Sequence, residues 1–111
     1  MKKIITMLLA AILSLIPAAS YALTGVDLYH NCSSEEGSLE DVECTFYIKG
    51  FVDGVMVGSV PFCPPNNGII DEMQARLIID KYLQDHPEKL DKDAGLLAER
   101  AMMGAFPCAS R

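Results

Sequence analysis

Residues 41–60 read DVECTFYIKGFVDGVMVGSV, and the fold turns on whether this stretch is strand or helix. Its Val, Ile, Phe and Tyr favour a strand locally. Its periodicity favours a helix, because Cys44, Tyr47, Ile48, Phe51, Val52 and Val55 recur at steps of three and four and so share one face. The spacing predicts a helix over 41–58. Within it Gly50, Gly54 and Gly58 recur every fourth residue, although each glycine costs about 1 kcal/mol against alanine in a helix interior. We read the three as a helix-packing groove that lets another backbone approach closely, in preference to a flexible binding helix.

Working outward, TGVDLYHNCSS at 24–34 predicts a short first helix with Val26, Tyr29 and Cys32 at helical spacing. EEGSLED at 35–41 then reads as a solvated turn. On the other side, 59–68 cannot be helical: Pro61, Pro64 and Pro65 remove donors, and Asn66, Asn67 and Gly68 favour a turn. A third helix is expected from Asp71 as N-cap, with Gln74 three residues on. It would bury Ala75, Ile78, Ile79, Tyr82 and Leu83, leave Arg76, Asp80 and Gln84 outside, and stop at His86 and Pro87. A last helix, N-capped by Asp91, would bury Ala94, Leu97, Ala98, Ala101, Met102 and Ala105 before Phe106 and Pro107 end it. The expectation is an all-α fold, a small four-helix up-down bundle.

The first 22 residues, MKKIITMLLAAILSLIPAASYA, have two lysines, an apolar run and a small-x-small end at Ser20 and Ala22, the build of a secretory signal peptide cleaved after Ala22. Its apolar run, 4–16, is too short for the roughly 20 residues that span a bilayer. Cleavage would leave 89 residues, one small helical domain over 23–111, without membrane attachment and exported to the periplasm. Losing Lys2 and Lys3 would move the net charge from −6 to −8. Such a surface repels nucleic acid and anionic membranes and attracts a basic partner.

Cys32, Cys44, Cys63 and Cys108 form an even set in an exported chain, which predicts two disulfides. Spacing alone allows three connectivities. The bundle chooses among them: Cys32 and Cys44 flank one helical connection, while Cys63 and Cys108 each follow a helix that ends at the opposite pole. We expect Cys32 with Cys44 and Cys63 with Cys108, worth about 3 and about 4 kcal/mol by loop entropy. For so small a core those staples are a large share of net stability.

The residue inventory argues against an enzyme. No serine sits in a G-x-S-x-G turn, the histidines are His30 and His86 alone, and every thiol is assigned to a bond. The cysteine spacings fit no zinc or redox motif, so neither metal nor cofactor is expected. No pair of acids is marked as desolvated for glycoside cleavage. Met102 and Met103 read as core filler. Asn31-Cys32-Ser33 is a formal glycosylation sequon that we take as chance. Glu35, Glu36, Glu40, Asp41 and Glu43 crowd the first turn, as a docking surface or as a solvated helix start.

A first-helix cysteine, CTFYIKGFVDG at 44–54, FCPP at 62–65, YLQDHPEKL at 82–90 and AFPC at 105–108 follow one another behind the leader. In that order and spacing the chain resembles the Rap/Tai family of periplasmic immunity proteins, which protect bacteria from peptidoglycan amidases delivered by type VI secretion. The resemblance covers nearly all of 23–111. It implies a small helical fold, often a homodimer, that binds an amidase effector and occludes its active-site cleft. The matched motifs look like fold determinants. The partner-binding residues are therefore sought in the loops, at Glu35, Glu36, Glu40 and Asp41 and at Asn66 and Asn67.

Two functions of different class follow. One is a stoichiometric inhibitor that acts by binding alone. The other is a periplasmic acid-stress chaperone, whose carboxylates would be protonated at low pH and whose bundle would loosen to expose apolar faces; a family member with some other partner is its companion reading.

Overall fold

The computed structural model describes residues 1–13 and 21–109. Residues 14–20 of the expected leader, including Ser20 at its small-x-small end, lie outside them. Lys2–Leu13 forms α1, and no helix among the described residues is long and apolar enough to cross a membrane. The remaining helices are α2 (Gly25–Cys32), α3 (Leu39–Val57), α4 (Glu72–Asp85) and α5 (Ala94–Ala105). A tight turn at Pro65–Gly68 and a 3-10 turn at Pro87–Lys89 complete the described elements. The fold is all-helical with two disulfides, and among the described residues the sole β-bridge joins Thr24 to Asp93.

Local chemistry accounts for the helix starts. Thr24 closes a capping box with Asp27, its hydroxyl accepting from the Asp27 N–H while the Asp27 carboxylate accepts from the Thr24 N–H at 3.0 Å. Ser38 caps α3 by accepting from the Asp41 N–H at 3.2 Å. Asp71 caps α4 by accepting from the Gln74 N–H at 2.8 Å, as the sequence predicts. His86 ends α4, stacked on Tyr82 with ring centroids 4.0 Å apart and its Nδ1 hydrogen-bonded to the Tyr82 carbonyl at 2.8 Å.

The core gathers one stripe from each helix: Leu28 of α2, Cys44, Ile48 and Val52 of α3, Ala75, Ile79 and Leu83 of α4, and Ala94, Leu97, Ala98, Ala101 and Met102 of α5. Helix α2 packs on α3, α4 and α5, and α4 lies between α3 and α5. Full burial of a Leu, Ile or Met contributes about 1.5–3 kcal/mol, so this stripe is the main source of stability. Three expectations are corrected. Val26 is 54 % exposed, and Leu28 takes the buried place on α2. Asp93 rather than Asp91 precedes α5, because the Ala94 N–H donates to the Leu23 carbonyl at 2.8 Å and fixes the helix start there. Ala105 is exposed at the helix end, whereas Arg76 and Asp80 are half-buried rather than outside.

The staples join the expected partners. Cys32 is bonded to Cys44 in the core, and Cys63 is bonded to Cys108 at the surface.

Candidate binding surfaces

The acidic turn is an organised structure. Gly37, at φ +83°, reverses the chain, and its N–H donates to Asp41 Oδ2 at 3.0 Å. The same Asp41 pairs with Arg76 of α4, and Arg76 Nη1 also donates to Thr45 Oγ1 at 2.8 Å. The Gly37 N–H and the Arg76 guanidinium together hold the Asp41 carboxyl below the usual carboxylate range. Asp41 is thereby committed to the fold, and of the expected binding residues in this turn Glu35 and Glu36 are exposed and Glu40 half-buried. Glu43, one turn along α3, accepts from Asn31 Nδ2 at 3.2 Å.

Two adjoining depressions open along the α3–α4 seam. One, of about 290 Å³, is lined by Thr45, Ile48, Glu72, Met73 and Arg76. The other, of about 430 Å³, shares Thr45, Met73 and Arg76 and is rimmed by Ser34, Glu36 and Asp41. Sequence reading missed this seam, since Arg76 and Asp41 are 35 positions apart and nothing local links them.

Asn66 and Asn67 sit on the loop between α3 and α4, far in sequence from the acidic turn. Both are exposed and both have left-handed backbone, at φ +56° and +60°. The loop is held by Phe62 and Ile70, which are buried, and by the bond from Cys63 to Cys108.

The glycines of the expected packing groove face outward. A side-chain carbon added at Gly50 or Gly54 would meet nothing within 4 Å, and at Gly58 it would meet only the Gly54 carbonyl of the same helix at 3.4 Å. Among the described residues no neighbouring element fills the groove. The glycines belong instead to the outer face of α3, where Leu39, Phe46 and Val57 are 71 %, 66 % and 89 % exposed. Helix α3 is apolar on both sides, and its outer side has no partner among the described residues.

Among the described residues no cluster of His, Cys, Asp or Glu is placed to hold a metal ion. The two histidines lie on different helix ends, His30 exposed on α2 and His86 capping α4. The surfaces on offer are thus a seam of mixed polar and apolar lining, a disulfide-tied loop and an apolar helix face, which suit contact with another macromolecule.

A comparison with known protein families finds a match. A family model described as Rap1a immunity proteins covers residues 24–108, a span that runs from the Thr24 cap to the last cysteine. No curated protein matches the chain.

Proposed function

The chain belongs to the family of Rap1a immunity proteins, and from that premise we propose that it is the periplasmic antidote to a peptidoglycan amidase effector of type VI secretion. The observation that carries the reading is the extent of the family match, which takes in every capped helix of the core and both disulfides. On this reading the chain works as a stoichiometric inhibitor without chemistry of its own, reaches the periplasm through removal of residues 1–22, and holds its four main helices in up-and-down order with one staple at each end.

An acidic partner surface implies a basic rim on the effector. Charge steers the encounter and sets its rate, while buried anchors set its lifetime. The outer face of α3 is the surface we assign to a homodimer, because Gly50 and Gly54 leave room for a second helix to lie close against Phe46.

Titrating the purified chain into the amidase encoded beside its gene should abolish cleavage of peptidoglycan peptides at about one equivalent, as expected for an inhibitor far tighter than its working concentration. The proposal is abandoned if no neighbouring amidase is inhibited and a strain deleted for this chain suffers no self-intoxication.

A further inference from the structure

The two disulfides sit in opposite surroundings. Cys32 and Cys44 belong to the buried core cluster and are followed or flanked in sequence by the acids Glu35, Glu36, Glu40, Asp41 and Glu43. Cys63 and Cys108 are exposed and contribute nothing to that cluster. In a chain of net charge −6, residues 54–70 and 101–110 carry no charged side chain, so no carboxylate neighbouring in sequence opposes a thiolate at either outer cysteine. The segments that carry this pair are also held together by more than the bond. The Cys63 N–H donates to the Phe106 carbonyl at 2.8 Å, and the adjoining Phe62 is 2 % exposed. The Phe106 N–H in turn donates to the carbonyl of the fully buried Met102 at 2.8 Å. Each outer cysteine thus keeps an anchor that does not depend on the sulfur–sulfur link.

We propose that Cys63–Cys108 is a thiol–disulfide exchange site that opens and recloses on the folded domain, a redox latch between the α3–α4 loop and the tail beyond α5, whereas Cys32–Cys44 closes before the core packs and does not exchange. The latch is independent of what the chain inhibits. Its exchange partner is a disulfide, carried by a small molecule or by a protein, and the reduced form of that partner for the reverse reaction. In closing, the Cys108 thiolate attacks one sulfur of the oxidant's disulfide, forming a mixed disulfide and expelling the other sulfur as a thiolate. The Cys63 thiolate then attacks the Cys108 sulfur, the latch bond forms, and the oxidant's remaining sulfur leaves as a thiolate. The chain gives up two electrons and two protons, and the oxidant's disulfide is reduced to thiols. Cys108 reacts first because it lies on the tail beyond α5, while Cys63 is set between the buried Phe62 and the half-buried Pro64. The core pair has no such route, since an incoming thiolate has to reach sulfur that the core covers.

The purified chain is reduced just far enough to open the outer bond, and its reclosure by glutathione disulfide is timed in buffer and in concentrated urea. The one-bond chain should keep its helical circular dichroism. Reclosure should be at least about tenfold faster in buffer, because anchored flanks raise the effective concentration of one thiol at the other. A one-bond chain that loses its helices, or reclosure no faster in buffer than in urea, overturns the latch. A second arm uses Cys63→Ser and Cys108→Ser, each expressed in an exporting host and each left with one outer thiol. Mass maps of Cys63→Ser should show a mixed disulfide on Cys108, of glutathione mass for a small oxidant and of protein mass for an oxidoreductase, and Cys108→Ser should carry less on Cys63. No adduct on Cys108, or equal adducts on the two variants, contradicts the exchange.

Discussion

Arg76 stands near two aspartates that titrate in opposite directions. Asp41 is held low by the Gly37 N–H and by the Arg76 guanidinium, whereas burial pushes Asp80 up despite the pull of Arg76, and one Asp80 oxygen is buried with no hydrogen-bond partner among the described residues. For Asp41 the folded value lies below the unfolded one, so its stabilisation is complete above about pH 3.9 and fades as pH falls through the folded value. For Asp80 the sign reverses: the penalty of its buried charge is complete above the raised folded value and is gone below about pH 3.9. Asp80→Asn should therefore raise the melting temperature at pH 7, and Asp41→Asn should lower it. Both differences from the wild type should shrink toward zero in melting curves recorded down to about pH 2 to 3, and a constant offset for either variant would contradict its assignment. Neither role was legible in the sequence. The i to i+4 relation of Arg76 to Asp80 is visible there, but the pairing of Arg76 with Asp41 depends on how α3 and α4 meet.

Helix α3 shows what a periodic sequence can and cannot carry. Its core face was readable, since steps of three and four from Cys44 to Val52 put those residues on one side, and that side is buried. The glycine spacing was equally regular and placed three residues on a common face without saying which face. Leu39, Val42 and Phe46 make the outer side apolar as well, so composition gave no sign that the glycines point away from the core. The physical consequence is measurable. Because an added methyl at Gly50 or Gly54 meets open space, Gly50→Ala and Gly54→Ala should each stabilise the isolated chain by about 0.5 to 1 kcal/mol in denaturant unfolding at low concentration. The same substitutions should weaken self-association in sedimentation if a second copy lies on this face; destabilisation of the monomer would restore an intramolecular groove. The start of α5 misled for a different reason. Asp91 and Asp93 are equally good caps on paper, and the choice between them is made by the Leu23 carbonyl, from the other end of the domain.

Across the whole molecule the two staples are unequal in access. Cys44 is fully buried and Cys32 is 9 % exposed, while Cys63 and Cys108 are both exposed. A mild dithiol should open Cys63–Cys108 first and leave Cys32–Cys44 intact, read by stepwise alkylation and peptide mass mapping; simultaneous opening would show that the core bond gains nothing from burial. The outer bond closes 45 residues and by loop entropy is worth about 4 kcal/mol, so its loss should lower the melting temperature by tens of degrees in a domain of this size. Pairing and helical class were legible because cysteines at helix ends leave few geometries. The α3–α4 seam was not, because the residues that meet there, Arg76 and Asp41, are 35 positions apart. The backbone bonds that tie 23–26 to 90–94 have a kinetic consequence too. The Gly25 N–H donates to the Lys92 carbonyl, Val26 to Leu90, and the Ala94 N–H to Leu23, so the first helix of the domain docks on residues synthesised near its end. A chain emerging from its amino end cannot seat α2 until position 94 is free, which defers closure of the core and keeps the emerging polypeptide threadable until nearly all of it is out.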